Sequence, residues 1–336
     1  MVSPAKPIGL LLTNIGSPDA PTRNALRRYL KEFLWDPRII EVPRVWWWII
    51  LNGIILKLRP QKSAQLYKKI WNVGGSPLLV TCERIRQKLA DALQQQYSQR
   101  FIVSIGMRYG IPAIAETLRK LKAEGCRDIF VLPLFPQYSG TTTGSTFDAV
   151  TTEIRKWRDV PALHFSRDYH DFHLYIQALT NSINDFWKIH GKPEQFLISY
   201  HGIPFRYVRA GDPYRQECEA TTALLISKLG LPKNSWKMGF QSRFGREPWL
   251  EPYTQNILKE WGEQGVRSVH VICPGFSCDC LETLSEIAME YRDVFGKAGG
   301  QSFHYIPALN EQDDHIQCLL SIIEHHLSGL IQSDEV

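Results

Sequence analysis

A short pattern occurs twice in this chain of 336 residues, at positions that differ by 140. Gly125 and Arg127 precede the apolar run IFVL, and Gly265 and Arg267 precede the run VHVI. Two further matches follow in the same order: Arg108-Tyr109-Gly110 with Arg243-Phe244-Gly245, and NIGSP at 14–18 with HGIP at 201–204. Because three matches keep one order, a duplicated domain explains them better than chance does.

Apolar runs typical of buried strands alternate with stretches of helical periodicity in both halves. The predicted strands lie at 8–13, 101–110, 128–139 and 162–166, at the start of QFLISYHGIP (195–204), from 237, and at 268–273. Such alternation predicts an α/β protein with parallel sheets. The carboxyl ends of parallel strands line a crevice where ligands bind. We therefore expect the loops after the strands to carry the functional residues, in a cleft between the two domains.

The stretch VHVICPGFSCDCLETLSEIAMEY at 269–291 carries the most ordered set of charges. A strand ends at Cys273, and a helix follows with Glu282, Glu286 and Glu290 at a spacing of four. Side chains at this spacing share one helix face. A solvated surface helix is the ordinary interpretation of such charges. These glutamates follow a strand, and a histidine lies in another strand-end loop, SYHGIP at 199–204. Both positions favour a functional site over a surface helix.

His201 and Glu282 together would make a weak and open site for a divalent metal ion. A structural histidine and a carboxylate favoured by the helix dipole are the alternatives. A resident metal normally has three or four protein ligands. A site with two ligands therefore suits a metal that is a substrate better than one that is a tightly bound cofactor.

The seven cysteines show no disulfide framework, which indicates reduced thiols in a cytoplasmic compartment. Three of them, Cys273, Cys278 and Cys280, lie beside Glu282. An iron–sulfur cluster would need about four thiolates together. Burial as small apolar side chains explains these cysteines better, and a cluster stays the lesser alternative.

A tryptophan-rich segment, VPRVWWWIILNGIILKLRPQK at 42–62, has the most unusual composition in the chain. Its apolar part is too short to span a bilayer and is interrupted by Asn52-Gly53. Tryptophan flanked by cations suits a membrane interface, and a core helix explains the composition about as well. The lip of a site for a large apolar ligand is a third interpretation. The net charge of +5 is too small to indicate nucleic acid as a partner.

Eight segments of the chain resemble the ferrochelatases, enzymes that insert ferrous iron into a porphyrin to make haem. The segments are LLTNIGSP (11–18), FLWDPRII (33–40), GGSPL (74–78), LPLFPQYSGTTTGST (132–146), SYHGIP (199–204), GDPY (211–214), QSRFGREPWLEPYT (241–254) and CPGFSCDCLETL (273–284). The resemblance covers nearly the whole chain and implies two similar Rossmann-like domains with the porphyrin bound between them. The chain lacks the cysteine-bearing extension of animal members, so the likeness is to the bacterial type.

The resemblance also implies roles for individual residues. His201 and Glu282 match the residues that bind the metal or take the pyrrole protons. Glu286 and Glu290 match a carboxylate row proposed as a path for metal or protons. Residues that match porphyrin contacts are Ile15, Arg59, Tyr67, Ser76, Arg108, Tyr109 and Trp249. Cys280 stands where some members have a histidine, which removes any role for a second histidine.

The implied reaction is insertion of Fe²⁺ into protoporphyrin IX with release of two protons, the last step of haem synthesis. Alternatives are a chelatase for coproporphyrin or another tetrapyrrole, and a tetrapyrrole carrier without activity. The predicted domains are 1–160, with the lip at 42–58, then 161–310, followed by a C-terminal helix and tail at 311–336. The expected location is the cytoplasm, with peripheral contact to the inner face of the membrane.

Overall fold

The computed structural model describes residues 6–97, 101–243, 245 and 247–331. Phe244 of the predicted repeat, and residues 332–336 of the predicted tail, lie outside this set. The described chain forms two compact units. Unit 1 contains the described residues of 1–134, 140–168 and 316–336, and unit 2 contains those of 135–139 and 169–315.

Unit 1 contains a parallel sheet of four strands in the order β2-β1-β3-β4. The strands are β1 (Ile8–Ser17), β2 (Phe101–Gly110), β3 (Asp128–Pro133) and β4 (Ala162–Phe165). The helices are α1 (Arg23–Trp35), α2 (Arg44–Ile50), α3 (Leu56–Ile70), α4 (Pro77–Tyr97), α5 (Ile114–Ala123) and α6 (Ser145–Ile154). Two π-helical segments, Leu51–Ile55 and Gly140–Gly144, precede α3 and α6.

Unit 2 has a second parallel sheet with the equivalent order, β6-β5-β7-β8. Its strands are β5 (Gln195–His201), β6 (Trp236–Gln241), β7 (Ser268–Ile272) and β8 (Ser302–Ile306). Its helices are α7 (His173–His190), α8 (Phe205–Arg209), α9 (Tyr214–Leu229), α10 (Thr254–Glu263) and α11 (Arg292–Lys297). A π-helix, Glu282–Tyr291, precedes α11. The C-terminal helix α12 (Asp313–Ile331) belongs to unit 1 from Ile316 onward.

The predicted repeat is confirmed by the turns before β3 and β7. Gly125 and Gly265 both adopt the left-handed conformation, with φ of 84° at each. In each turn the next residue donates its N–H to the carbonyl five positions earlier: Cys126 to Leu121 at 3.1 Å, and Val266 to Trp261 at 3.0 Å. This is a Schellman cap, in which glycine avoids the steric cost of a left-handed residue. The two halves therefore end the corresponding helices, α5 and α10, in the same way.

The central strands are buried along most of their length, which explains their uninterrupted apolar sequences. Leu10, Leu11 and Leu12 of β1 have no exposed surface. In unit 2, Leu197 of β5 and Val271 of β7 belong to a core cluster that also contains Ile287 of the π-helix. The π-helix is thus held against its own sheet by apolar packing.

Three strand predictions need correction. NIGSP was expected in a loop, but β1 continues to Ser17 because Gly16 pairs with Tyr109 of β2. This close approach requires glycine, since a Cβ at Gly16 would lie 1.8 Å from the Tyr109 carbonyl oxygen. Strand β3 ends at Pro133 rather than at 139, and proline cannot donate to a ladder. Strand β8 was not predicted.

Candidate functional site

His201 is the last residue of β5 and is half-buried. Its Nδ1 lies 2.6 Å from the carbonyl oxygen of Gly202. Because a carbonyl only accepts hydrogen bonds, Nδ1 carries a proton, and in the neutral imidazole the lone pair is therefore on Nε2. The local backbone therefore selects the tautomer whose Nε2 can accept a proton or bind a metal ion.

Two aromatic residues lie beside His201. Trp249 forms a backbone bridge with Pro204, and its Cε3 would lie 3.2 Å from a Cβ added at Gly202. The ring of Phe276, in the loop after β7, has its centroid 6.5 Å from that of His201. Trp249, a predicted porphyrin contact, thus lies beside the Gly202 turn, and Phe276 of the 273–281 loop lies near His201.

Glu282 begins the π-helix that follows β7, the strand that pairs directly with β5. A π-helix closes i→i+5 hydrogen bonds, so each turn takes more residues than the 3.6 of an α-helix. Side chains at a spacing of four therefore lie nearly in line. Glu282 and Glu286 are half-buried and Glu290 is exposed. The three carboxylates form a row that runs from the partly buried strand end to solvent.

The turn before Glu282 is fixed by Asp279, a buried residue that sequence analysis missed. Its carboxylate accepts hydrogen bonds from Thr283 Oγ1 at 2.8 Å, Tyr305 Oη at 2.6 Å and Asn310 Nδ2 at 2.8 Å. Burial, with Asp279 beside it, raises the pKa of Tyr305 well above its usual value, so this hydroxyl remains a donor. Asp279 therefore anchors the start of the π-helix. The sequence around Asp279, which lies between two cysteines, did not indicate this anchoring role.

The three neighbouring cysteines are each buried and free of disulfides. Burial raises the pKa of the Cys273 and Cys280 thiols well above the usual value. Both sulfurs are therefore protonated near neutral pH, and the thiolate is the form that binds metal. Cys273 Sγ lies 3.4 Å from Gln241 Oε1, which accepts its hydrogen.

The outer part of the carboxylate row lines a cavity of about 280 Å³ in unit 2. Glu286 and Glu290 contribute carboxylates to its wall, and Arg243 contributes a cation. The other polar groups of the wall belong to Ser242, Tyr253, Gln255, Asn256 and Tyr291. Oxygen ligands of this kind suit hard divalent cations.

In unit 1, Arg108 and Tyr109 are joined by the carboxylate of Asp36. Tyr109 Oη donates to Asp36 Oδ2 at 2.8 Å, and the Arg108 guanidinium forms an ion pair with the same oxygen. Arg108 Nε also donates to Ser145 Oγ at 2.6 Å. Burial opposes the charge of Asp36, but the Ser145 hydrogen bond and Arg108 hold its pKa below the ordinary value. Burial raises the pKa of Tyr109.

Because of this network, the Arg108 guanidinium is held in place by protein groups and is not a mobile surface cation. The guanidinium is bonded within the protein, to Asp36 and Ser145, and lies 4.5 Å from the Tyr109 ring centroid. Asp36 and Ser145 are not among the predicted site residues, although both lie in the segments that resemble the ferrochelatases. The network connects the end of β2 to the chain before α2 and to the start of α6.

The other predicted porphyrin contacts of unit 1 are spread over three elements. Ile15 is half-buried on β1, and its N–H bonds to Asn14 Oδ1 at 2.7 Å instead of to the ladder. Arg59 is exposed and Tyr67 is buried, both on α3, and Ser76 is buried immediately before α4.

The tryptophan-rich segment forms α2, the π-turn Leu51–Ile55 and the start of α3. Trp47 points inward, where Nε1 donates to the Leu34 carbonyl at 2.7 Å, so the core-helix interpretation holds for this residue. It is wrong for Trp46 and Trp48, which are 67% and 58% exposed. Ile54 and Leu58 are also exposed, at 57% and 65%. In the described part of the chain, no helix combines the length and apolarity that crossing a membrane requires.

Two α/β units with equivalent strand orders, and strand-end loops that carry histidine and carboxylates, define a chelatase-type protein. Solved structures of this fold are similar to the chain. SirB from Bacillus subtilis with Fe³⁺ aligns with a TM-score of 0.53 and 11% identity, over 96% of this chain and 97% of that one. CbiX, described as the terminal enzyme of sirohaem biosynthesis in denitrifying bacteria, aligns with a TM-score of 0.52 and 11% identity, over 95% and 99% of the two chains.

Closer relatives identify the family within this class. The ferrochelatase family profile matches residues 7–327. The ferrochelatase of Thioalkalivibrio sulfidiphilus is 51% identical over 96% of this chain and 87% of its own length. Ferrochelatase 2 of Shewanella oneidensis is 49% identical over 95% and 98% of the two chains. The chain therefore belongs to the ferrochelatase family, the ferro-lyases of haem biosynthesis.

Proposed function

We propose that the chain inserts Fe²⁺ into protoporphyrin IX, forming protohaem and releasing two protons. The observation that carries this proposal is the open Nε2 of His201, on a strand adjacent to the one that leads to Glu282. A neutral imidazole and a carboxylate are together able to accept the two pyrrole protons and to ligate ferrous iron. Fe²⁺ is the substrate here and leaves with the product.

The protein must also bend the porphyrin. In a planar ring the nitrogen lone pairs point toward the ring centre, where an incoming metal ion does not meet them. A rigid surface that favours the bent ring stabilises the transition state more than the ground state. Arg108 and Tyr109 suit this role because Asp36 and Ser145 immobilise them. Ile15, Trp249 and Tyr67 offer apolar or aromatic surface to the macrocycle, and Arg59 and Ser76 offer donors to its propionates.

The choice of porphyrin follows from the exposed apolar side chains of the lip at 42–58. Their surface suits a macrocycle with two propionates better than the more anionic coproporphyrin. We expect faster Fe²⁺ insertion into protoporphyrin IX than into coproporphyrin III. Anaerobic assays of both, followed by the haem spectrum, test this, and the reverse preference would favour the coproporphyrin alternative. Binding of porphyrin without insertion would favour a carrier.

We further propose that the lip touches the inner face of the cytoplasmic membrane. The exposed Trp46, Trp48, Ile54 and Leu58 are flanked by Arg44, Lys57 and Lys62, a pattern that suits an anionic bilayer surface. The seven cysteines form no disulfide, which fits a reducing cytoplasm.

Sedimentation with vesicles of anionic phospholipid tests the membrane contact. Replacing Trp46 and Trp48 with serine should reduce vesicle binding several-fold. Ile189→Ser is the matched control, because Ile189 is 78% exposed but lies on unit 2. Equal binding by the tryptophan variant and the control would contradict the membrane contact.

We propose that no cofactor is resident. An iron–sulfur cluster would need about four thiolates together, whereas three cysteines lie beside Glu282 in the sequence. Iron and acid-labile sulfide analysis of the anaerobically purified protein is the test, and about two equivalents of each per chain would favour a cluster.

A further inference from the structure

Ser242 has an unusual backbone conformation for its residue type. It follows β6 directly and has a φ of +65°, in the left-handed region. Non-glycine residues rarely adopt this region, and asparagine, as at Asn310, is among the exceptions. Backbone strain of this kind persists where surrounding interactions hold it, often at functional sites.

The conformation directs two donors of Ser242 to one carboxylate. The backbone N–H donates to Glu286 Oε1 at 2.9 Å, and the Oγ hydroxyl donates to Glu286 Oε2. Tyr291 Oη donates a third hydrogen bond, to Oε1 at 2.8 Å. Both oxygens of Glu286 are thus held, and Ser242 alone contacts both of them.

This arrangement limits what Glu286 offers to a cation. An ionised carboxylate has about four lone-pair sites. Three donors occupy three of them, and one on Oε2 is left. Glu286 lies between Glu282 and Glu290 in the row and lines the cavity of about 280 Å³. Because both oxygens are held, the remaining lone pair keeps one fixed direction, which lowers the ordering cost of binding a cation there.

We propose that Ser242 is a positioning residue, which fixes Glu286 as a single-lone-pair ligand for Fe²⁺ on its way along the carboxylate row. The proposal rests on the proposed iron-insertion activity. Its role is distinct from catalysis, because Ser242 acts through Glu286 and not on the porphyrin. A loss of the hydroxyl should affect the handling of iron and leave the handling of porphyrin unchanged.

Steady-state kinetics of Ser242→Ala and Ser242→Gly test the proposal. Alanine keeps the left-handed strain and glycine relieves it, but both lack the hydroxyl. Since one hydrogen bond to the carboxylate is lost, the KM for Fe²⁺ should rise about fivefold in both variants. The KM for protoporphyrin should stay at the wild-type value. The melting temperature of the glycine variant should exceed that of the alanine variant.

Ser235→Ala is the matched control, because its Oγ donates to the Pro232 carbonyl at 2.9 Å at the opposite end of β6. It should leave the KM for Fe²⁺ unchanged. A wild-type KM for Fe²⁺ in Ser242→Gly, or an equal rise in both substrates' KM values, would overturn the positioning role. A wild-type protein that makes no haem would instead overturn the proposed function.

Discussion

Units 1 and 2 have sheets with equivalent strand orders, but the residues that follow the third strand of each sheet differ in chemical type. The segment of unit 1 that follows β3 begins with five π-helical residues of glycine and threonine, Gly140–Gly144. In unit 2 the loop after β7 enters a ten-residue π-helix that carries three glutamates, Glu282–Tyr291. Both units thus have a π-helical segment after the third strand, and the segment of unit 2 carries the row of carboxylates.

The first strands differ in a related way. Strand β1 pairs with β2 as far as Ser17, whereas β5 ends at His201 and the chain turns at Gly202. Arg108 and Tyr109 of unit 1 bond to Asp36 and Ser145, while His201 of unit 2 keeps a lone pair open. Unit 1 therefore has rigid polar groups suited to holding a ligand, and unit 2 has open ones suited to reacting.

Replacement of His201 by alanine should produce the largest effect. Loss of a positioned proton acceptor lowers rates by about 10²–10⁴-fold. We expect a fall of this size in the rate of haem formation. Thermal unfolding should be unchanged within a few degrees. Activity near that of the wild type would contradict the assignment of the reacting groups to unit 2.

Asp36→Asn should mainly affect stability, because it leaves the Arg108 charge in unit 1 without its partner. Asp36 and Arg108 have side chains that are 2% and 19% exposed. Removing one member of a buried pair costs about 3 kcal/mol. Urea denaturation of the variant and wild type measures this difference. A change below about 1 kcal/mol, the range of surface ion pairs, would contradict the structural role of the network.

The same variant has a defined pH dependence. The pKa of Asp36 is lowered in the folded protein, so its stabilising effect is present above the unfolded value of about 3.9. The effect is lost as the pH falls from there toward the folded pKa. The difference in unfolding free energy between wild type and Asp36→Asn should therefore shrink below about pH 4. A constant difference down to low pH would contradict this assignment.

His270→Phe gives unit 2 the residue that unit 1 has at the matching position, Phe130. Burial, with smaller effects of His304 and His190, lowers the pKa of His270 to about 4. The unfolded chain therefore binds a proton that the folded chain does not, between about pH 6.5 and 4. The unfolding free energy should fall with decreasing pH in this window.

The variant should lose up to about 1.4 kcal/mol per pH unit of that slope. His315, whose pKa burial lowers to about 4, keeps a residual slope in both proteins. Denaturation at several pH values measures the two slopes. Identical slopes would show that His270 does not titrate as its buried position requires.

Gly125→Ala and Gly265→Ala should have the smallest effects and should match each other. Both glycines have a φ of 84°, and a Cβ at either would meet open space. Each substitution therefore costs only the left-handed strain, about 1 kcal/mol. Unfolding free energies from denaturant titration test the equality. A difference much above about 0.5 kcal/mol would show that the two caps are not equivalent.

Most of the fold could be predicted from the sequence, because the patterns that indicate strands and turns are local. The glycine-arginine pattern before β3 and β7 and the apolar runs were enough to predict the repeated parallel sheets. The extension of β1 to Ser17 was not predictable, because it depends on a close approach between Gly16 and Tyr109 from distant segments.

The site was predictable only for residues that carry a recognisable chemistry. His201 and the glutamate row stood out by type and spacing. Asp36, Asp279 and Ser242 did not, since each bonds to a distant residue: Arg108, Asn310 and Glu286 lie 72, 31 and 44 positions away. The π-helical geometry that aligns the carboxylates has no sequence signal of its own.

The most direct test of the division between the units measures binding and insertion on the same sample of Glu282→Gln. Fluorescence titration gives the Kd for protoporphyrin, and anaerobic addition of Fe²⁺ gives the rate of haem formation. The account predicts a Kd near the wild-type value with a rate lowered by at least about 100-fold. An unchanged rate, or a rate that falls only in proportion to weaker porphyrin binding, would contradict the assignment of the metal chemistry to unit 2.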